Sequence, residues 1–304
     1  MTFRNSLCVY NVLLFLCLVL VTLYVNQQRN MMLIRLDAYE TKQGILNKVT
    51  RTVEDLGSGP LMSLREKGIV DSLVGLDLDS LSNETLLITL HSNLDNLNSL
   101  CRRKLRLGDV SDGGWEICDD ADVRPREPCI IYSFGINYDF SFDEAAAALY
   151  GCHVFSFDPS MNLVKDQFDR SPKVHFSSLG LSGQSFINKD NWTMLTLKEI
   201  RRRLGHKSSS IDVIKMDVEG SEWQALPEMI QSGELPGNVK QVLLEYHLGS
   251  TLKSVRLAEL KVVKNLERIG FKKFYVHKNP FCRTIDTEMP SPLTNCYEVS
   301  YLRR

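Results

Sequence analysis

Residues 211–222 read IDVIKMDVEGSE. The apolar run 211–216 predicts a short strand that stops at Asp217, and a helix is predicted over 222–231, so the stretch reads as strand, acidic turn, helix. The same alternation continues on both sides. Upstream, runs at 129–134, 153–157 and 173–176 predict strands, with an Ala-rich helix over 142–150 and another helix over 196–204. Downstream come a strand over 239–246, an amphipathic helix over 255–269, and two closing strands over 271–276 and 296–302. Strands alternating with helices imply parallel crossover connections. Two final strands with no helix between them imply an antiparallel edge. The expected fold is α/β, a doubly wound, mostly parallel sheet of seven strands.

The composition is that of a globular chain, 43% hydrophobic and 24% charged, which excludes a mostly disordered, collagen-like or polytopic membrane protein. Thirty-six Lys and Arg against thirty-seven Asp and Glu leave a net charge of −1. No basic excess is present to track phosphates, so nucleic acid is not an expected partner.

Residues 7–25, LCVYNVLLFLCLVLVTLYV, are nineteen uncharged residues, enough to cross a bilayer core of roughly 30 Å. No small-residue cleavage pattern ends the run, so a retained signal-anchor is expected, behind a cytosolic tail of residues 1–6; cleavage would give a secreted form. Residues 26–100 carry helical patterns interrupted at Gly57-Ser58-Gly59-Pro60, including leucines at 86, 87, 90, 94, 97 and 100. They read as a helical stem, a segment through which copies of the chain can associate. The main domain is expected over 101–304.

Two sequons, at Asn83 and Asn191, and six cysteines after the anchor suit an oxidising lumen. The expected placement is a type II single-pass membrane protein of the Golgi or endoplasmic reticulum. Cys129 lies six residues before Gly135, and Cys152 six before Asp158. If those landmarks end adjacent parallel strands, the two cysteines sit at matching heights about 4.8 Å apart. Cys101–Cys118 and Cys282–Cys296 then remain as local pairs.

Ligands of open parallel sheets bind beyond the carboxyl ends of the strands. The residues that stop each run are therefore the candidates: Phe134, Gly135 and Asn137 after the first, Asp158 after the second, Asp217 and Glu219 after the fourth, Glu245 and His247 at the fifth. An acid after the second strand can accept hydrogen bonds from both ribose hydroxyls, and Gly135 to Asp158 is 23 residues, near the spacing such a unit uses. Singly, each is also what an ordinary turn contains. The loop FGINYDFSFD has one glycine where a dinucleotide loop has three. That speaks against a pyrophosphate and for a nucleoside without phosphates, such as S-adenosylmethionine.

The stretch 211–222 resembles the K-x-D-x-E-G-x-E signature of FkbM-type S-adenosylmethionine-dependent methyltransferases. The surrounding pattern is similar to the metazoan methyltransferase-like, membrane-anchored or secreted members of that group. DGGWEIC at 112–118, IYSFG at 131–135, FDP at 157–159, LEYH at 244–247 and CYEVS at 296–300 carry the likeness over residues 101–304. The resemblance implies a Rossmann-like class I methyltransferase fold and S-adenosylmethionine as cofactor. Carried over by position, Phe134, Gly135 and Asn137 would bind the cofactor, with Gly135 under the methionine part, and Asp158 would hold the ribose. Ser178 and Leu179, in the loop after the third strand, would flank the adenine. Asp217, Glu219 and His247 would form the catalytic, acceptor side.

The implied chemistry is an in-line methyl transfer to a hydroxyl, on a glycan or another acceptor the sequence does not identify. His247 is the candidate base, since an imidazole ordinarily titrates near neutrality. Asp217, Glu219, Glu222 and Glu245 can position a divalent cation, but none is assigned. Two other readings share the anchored architecture. A glycosyltransferase would place a D-x-D pair on a nucleotide-sugar metal, and Asp77-Leu-Asp79 and Asp120-Ala-Asp122 have that spacing. The other is a binding module that keeps the fold without turnover.

Overall fold

A computed structural model of the chain describes residues 76–279 and 293–303, with Leu73, Cys282 and residues 284–285. All belong to one compact unit, Leu64–Arg304. The expected anchor, residues 7–25, the cytosolic tail and most of the expected stem lie outside the described residues. No helix among the described residues is long and apolar enough to cross a membrane.

The strands are β1 (Lys104–Leu107), β2 (Trp115–Cys118), β3 (Ile130–Phe134), β4 (His153–Phe157), β5 (Gln167–Ser171), β6 (Val174–Ser177), β7 (Gly180–Leu181) and β8 (Phe186–Ile187). They continue as β9 (Thr193–Leu195), β10 (Ile211–Met216), β11 (Val239–His247), β12 (Phe271–Lys278), β13 (Thr284–Ile285), β14 (Leu293–Thr294) and β15 (Cys296–Arg303). The helices are α1 (Asn83–Asp95), α2 (Ser141–Tyr150), α3 (Leu197–Arg203), α4 (Glu222–Gln231), α5 (Glu234–Asn238) and α6 (Lys253–Arg268).

The central sheet has eight strands in the order β12-β15-β11-β10-β3-β4-β6-β5, one more than expected. The five inner strands from β11 to β6 are parallel, and the edges are antiparallel through β15 and β5. The added edge strand β5 reads QFDRS and is mostly exposed, so it has no hydrophobic alternation to announce it. From β3 the chain order runs outward in both directions, to β4 on one side and β10 on the other. That reversal is the switch point at which open α/β sheets bind ligands.

Alternate residues of each strand feed opposite faces of the sheet. Tyr132 and Phe134 of β3 enter one buried cluster together with Ile214 and Met216 of β10 and the inner faces of α4 and α6. Ile131 and Val213 enter the other, with Phe142 and Ala146 of α2. The fold is thus Rossmann-like, with helices on both sides of the sheet.

Helix α1 corrects the boundary placed at residue 101. Its leucines 86, 90 and 94 are almost fully buried in the core cluster shared with α6. His91 Nδ1 meets the Tyr297 hydroxyl at 2.9 Å. Ser82 caps the helix by accepting the Thr85 N–H. Leu86, Leu87, Leu90 and Leu94 of the pattern read as stem are an inward face of the domain, whereas Leu97 and Leu100 are exposed.

All six cysteines from Cys101 to Cys296 are paired as expected: Cys101–Cys118, Cys129–Cys152 and Cys282–Cys296. Cys129 and Cys152 precede β3 and β4, and the His153 N–H donates to the Cys129 carbonyl at 3.0 Å.

Candidate functional site

The carboxyl ends of β3, β4, β10 and β11 open onto one cleft of about 820 Å³. Phe134, Gly135, Asn137 and Asp158 line it on the β3–β4 side, Leu179 at the end of β6, and Asp217, Glu219 and His247 on the β10–β11 side. Ser178 does not line it; its N–H donates to the Asp166 carbonyl instead. Of nine residues expected from sequence, the structure brings eight together.

Gly135 has φ +70°, and a Cβ on it would lie 1.6 Å from the Asp217 carbonyl oxygen. The glycine is therefore needed for the close approach of β3 to the turn after β10, before any ligand is considered. Asp158 is buried, and its carboxylate is already engaged. Oδ2 accepts the Asn137 N–H at 2.8 Å, and Oδ1 accepts the Ser160 N–H at 2.8 Å and the Ser160 hydroxyl at 2.6 Å. Asp158 thus ties the loops after β3 and β4 together. A carboxylate has about four acceptor sites, so room for a further donor remains. Asn137 and Tyr138 both adopt left-handed backbone, at φ +40° and +67°. For a tyrosine that conformation is strained, and such strain gathers at functional loops.

Across the cleft, Asp217 follows the last residue of β10, and its N–H donates to the Phe134 carbonyl at 3.1 Å. Burial raises its carboxyl above the usual range. Glu219 sits in left-handed backbone at φ +52° and projects to solvent. Gly220 follows, and its N–H donates to Glu222 Oε2 at 2.8 Å. Glu222 is fully buried, and its Oε1 accepts the His247 N–H at 2.8 Å and faces His247 Nδ1 at 3.2 Å. The last signature acid is therefore a support for His247, not a member of the cleft wall.

His247 departs from its expected role. Burial works to lower its pKa, but the hydrogen bond to Glu222 and the charges of Glu222, Glu245 and Asp217 outweigh it and raise it to about 9. At that value the imidazole is a cation and a donor, not a base near neutrality. Glu245 is raised to about 7 by burial and the neighbouring Asp217, and its Oε1 accepts from Asn279 Nδ2 at 3.0 Å. Glu298 stands directly opposite Glu245 in the β11–β15 register and is raised to about 8 by burial and by Glu245.

Three lining residues escaped sequence reading. Lys215 is buried, and its ammonium donates to the Phe134 and Gly135 carbonyls while lying 5.4 Å over the Trp115 ring. It stands inside the quoted signature, two residues before Asp217. Asp143 of α2 is buried and raised to about 6 by burial. Glu298 is the third, and only the pairing of β15 with β11 brings it in.

Neither D-x-D pair reaches the cleft. Asp77 caps a short turn by accepting the Asp79 N–H, and Asp79 pairs with Lys261. The Asp120 carboxylate accepts the Arg102 and Arg103 N–H groups.

Over residues 86–302 the chain matches the family described as Methyltransferase domain. Among curated proteins it is similar to probable methyltransferase-like protein 24 of Homo sapiens, 27% identical over 183 residues, 54% of this chain and 48% of that protein. The Rattus norvegicus protein of the same name is 28% identical over 184 residues, 54% of this chain and 49% of its own length. The chain spans about half the length of these curated relatives. An acid-lined cleft at the switch point of a Rossmann-like sheet, within a match that covers most of the chain, leads to one conclusion: the chain belongs to the methyltransferase domain family.

Proposed function

We propose that the chain is an FkbM-type enzyme that transfers the methyl group of S-adenosylmethionine to a hydroxyl acceptor in the lumen of the secretory pathway. The observation that carries this reading is the cleft itself, with Asp158 and Gly135 on one wall and the carboxylates of β10 and β11 on the other. Its volume lies in the range of small-molecule sites, roughly 300–1,000 Å³.

The residues fit the cofactor. Asp158 has acceptor capacity left for ribose hydroxyls, Leu179 offers an apolar edge to a flat base, and the acidic lining favours a cation such as a sulfonium. S-adenosylmethionine, when bound, supplies an electrophilic methyl group. The protein's part is alignment of donor and acceptor, worth up to about 7–11 kcal/mol in well-oriented reactions. Asp158 holds the β3 and β4 loops at fixed spacing, and Lys215 fixes the backbone at Phe134 and Gly135. His247, held by Glu222, orients the acceptor. Glu245, buried on the same face of β11 two residues away, receives the acceptor's proton.

Three disulfides support a lumenal setting. So does the exposed sequon asparagine Asn191. In this reading residues 7–25 attach the chain to the membrane. Calorimetry of the full chain with S-adenosylmethionine tests the proposal. Binding is expected, weakened at least tenfold by Asp158→Ala, while a UDP-sugar with manganese gives no heat. No binding of S-adenosylmethionine to the intact chain would overturn it.

A further inference from the structure

Beyond the ends of β10 and β11, three side chains converge: Asp217, Glu219 and His247. One ligand-type atom from each, Oδ1, Oε2 and Nε2, lies within 4.8 Å of the others. His247 Nε2 stands 3.8 Å from Asp217 Oδ1 and 3.5 Å from Glu219 Oε2. These separations are long for hydrogen bonds. They are close to what a shared ion needs, because ligands about 2.1 Å from one metal stand roughly 3.0–3.4 Å apart.

The far side of the imidazole is built for the same purpose. His247 Nδ1 faces Glu222 Oε1 at 3.2 Å, and the same oxygen accepts the His247 backbone N–H. Glu222 is fully buried and is itself fixed by the Gly220 N–H. A carboxylate behind the histidine, holding the ring so that its other nitrogen points at the ligands, is how metal-binding histidines are oriented.

Two carboxyls of the cleft have side-chain oxygens without a hydrogen bond. Asp217 Oδ1 is buried with no hydrogen bond among the described residues. Glu298 is 8% exposed and lines the same cleft, and its side chain has no hydrogen bond among the described residues. It faces Glu245, which is 4% exposed, across the β11–β15 pair. Two buried carboxyls directly opposite on neighbouring strands cannot both ionise unless a cation answers them. Lys215 is turned to the carbonyls of Phe134 and Gly135, so it does not answer them alone.

We infer that the cleft binds one divalent cation of the Mn²⁺ class through Asp217, Glu219 and His247, the Nε2 proton leaving to solvent as the ion binds while Nδ1–H stays on Glu222, the positioning residue behind the histidine. Two carboxylates and one imidazole suit a mid-row divalent ion. The inference deepens the proposed methyl transfer, on which its role rests: a cation there would draw the acceptor oxygen in and acidify its hydroxyl beside Glu245. The site itself is independent of that role and is tested with the metal alone.

The measurement is loss of the free Mn²⁺ resonance signal on titrating the full chain, disulfides intact, with no cofactor or acceptor present. One ion per chain is expected. Asp217→Asn and His247→Asn should each weaken it at least tenfold. So should Glu219→Gln, which changes a mostly exposed side chain and leaves the fold in place. Glu222→Gln should cost roughly 10- to 100-fold, and in the His247→Asn background it should cost nothing more, which a merely structural Glu222 would not produce. An undiminished free-ion signal with the unsubstituted chain overturns the inference. Affinity in Glu219→Gln and Asp217→Asn unchanged from that of the unsubstituted chain overturns it as well. A chain that binds Mn²⁺ but not S-adenosylmethionine keeps the cation site and removes the methyl-transfer role; the reverse removes only the cation.

Discussion

Replacing Gly135 by alanine should be far more damaging than the loss of one glycine. The added Cβ would lie 1.6 Å from the Asp217 carbonyl oxygen, where ordinary contact begins near 3.4 Å. The end of β3 and the turn after β10 must therefore part by nearly 2 Å. Left-handed backbone costs a non-glycine residue about 1–2 kcal/mol. Separation also loses the Asp217 N–H to Phe134 carbonyl bond, worth about 1 kcal/mol, and strains its neighbours. A total of about 2–4 kcal/mol is expected, a large part of a typical domain's stability of about 5–15 kcal/mol. Gly205 is the control: it has φ +74°, and a Cβ there meets nothing within 4 Å. Gly205→Ala should show the backbone cost alone. Urea unfolding of both variants with disulfides intact separates the two contributions, and methyl transfer should fall about 100-fold in Gly135→Ala because Asp217 is displaced. If Gly135→Ala costs no more than Gly205→Ala, the close approach does not matter and the reasoning fails.

Removal of the Cys129–Cys152 bond, by serine at both positions, should cost about 3 kcal/mol for a loop of this size; non-reducing peptide mapping should recover the three expected links from the unsubstituted chain. His91 predicts acid lability. Burial, with Lys278 and Arg256 nearby, lowers its pKa from 6.5 to about 4. The neutral ring's contribution is complete above pH 6.5 and is lost as pH falls through that window towards 4, a drop on the order of 3 kcal/mol. Unfolding of the unsubstituted chain and His91→Gln at pH 7 and pH 4.5 should show a smaller pH penalty in the variant; an equal penalty would assign the lability elsewhere. Expressed in a secretory host, the chain should lose its glycan with Asn191→Gln but not with Asn83→Gln. Asn83 begins α1, and its amide donates to the Thr251 carbonyl at 3.1 Å, whereas Asn191 is exposed. Endoglycosidase mobility shifts decide it.

Strand ends were legible because each apolar run is bounded by a residue that cannot continue it. The runs ending at Phe157 and Met216 end there in the structure. The Cys129–Cys152 pair was legible for a related reason, since parallel neighbours keep matched heights. What local pattern could not supply is who stands opposite whom. The reason for Gly135 is a carbonyl 82 residues away at Asp217. Glu222 reads as a helix-opening acid, and only the approach of β11 makes it the partner of His247. Glu298 enters the cleft through an antiparallel register that no periodicity encodes. The pKa of His247 follows from those same distant carboxylates.

Helix α1 sets where a fragment of this protein can begin. A chain cut at Cys101, where the sequence texture changes, would leave behind the leucines that cover α6 and the imidazole that meets Tyr297. The groove so opened would be lined by Leu260, Val263 and Leu266, now buried. Contiguous apolar surface of that kind drives self-association. Poor solubility of such a fragment would reflect a missing helix and carry no information about the cleft on the opposite elements. Fragments meant for ligand work should start at or before Leu76, so that the 3₁₀ turn at Leu78–Ser80 and the Ser82 cap travel with the helix they introduce.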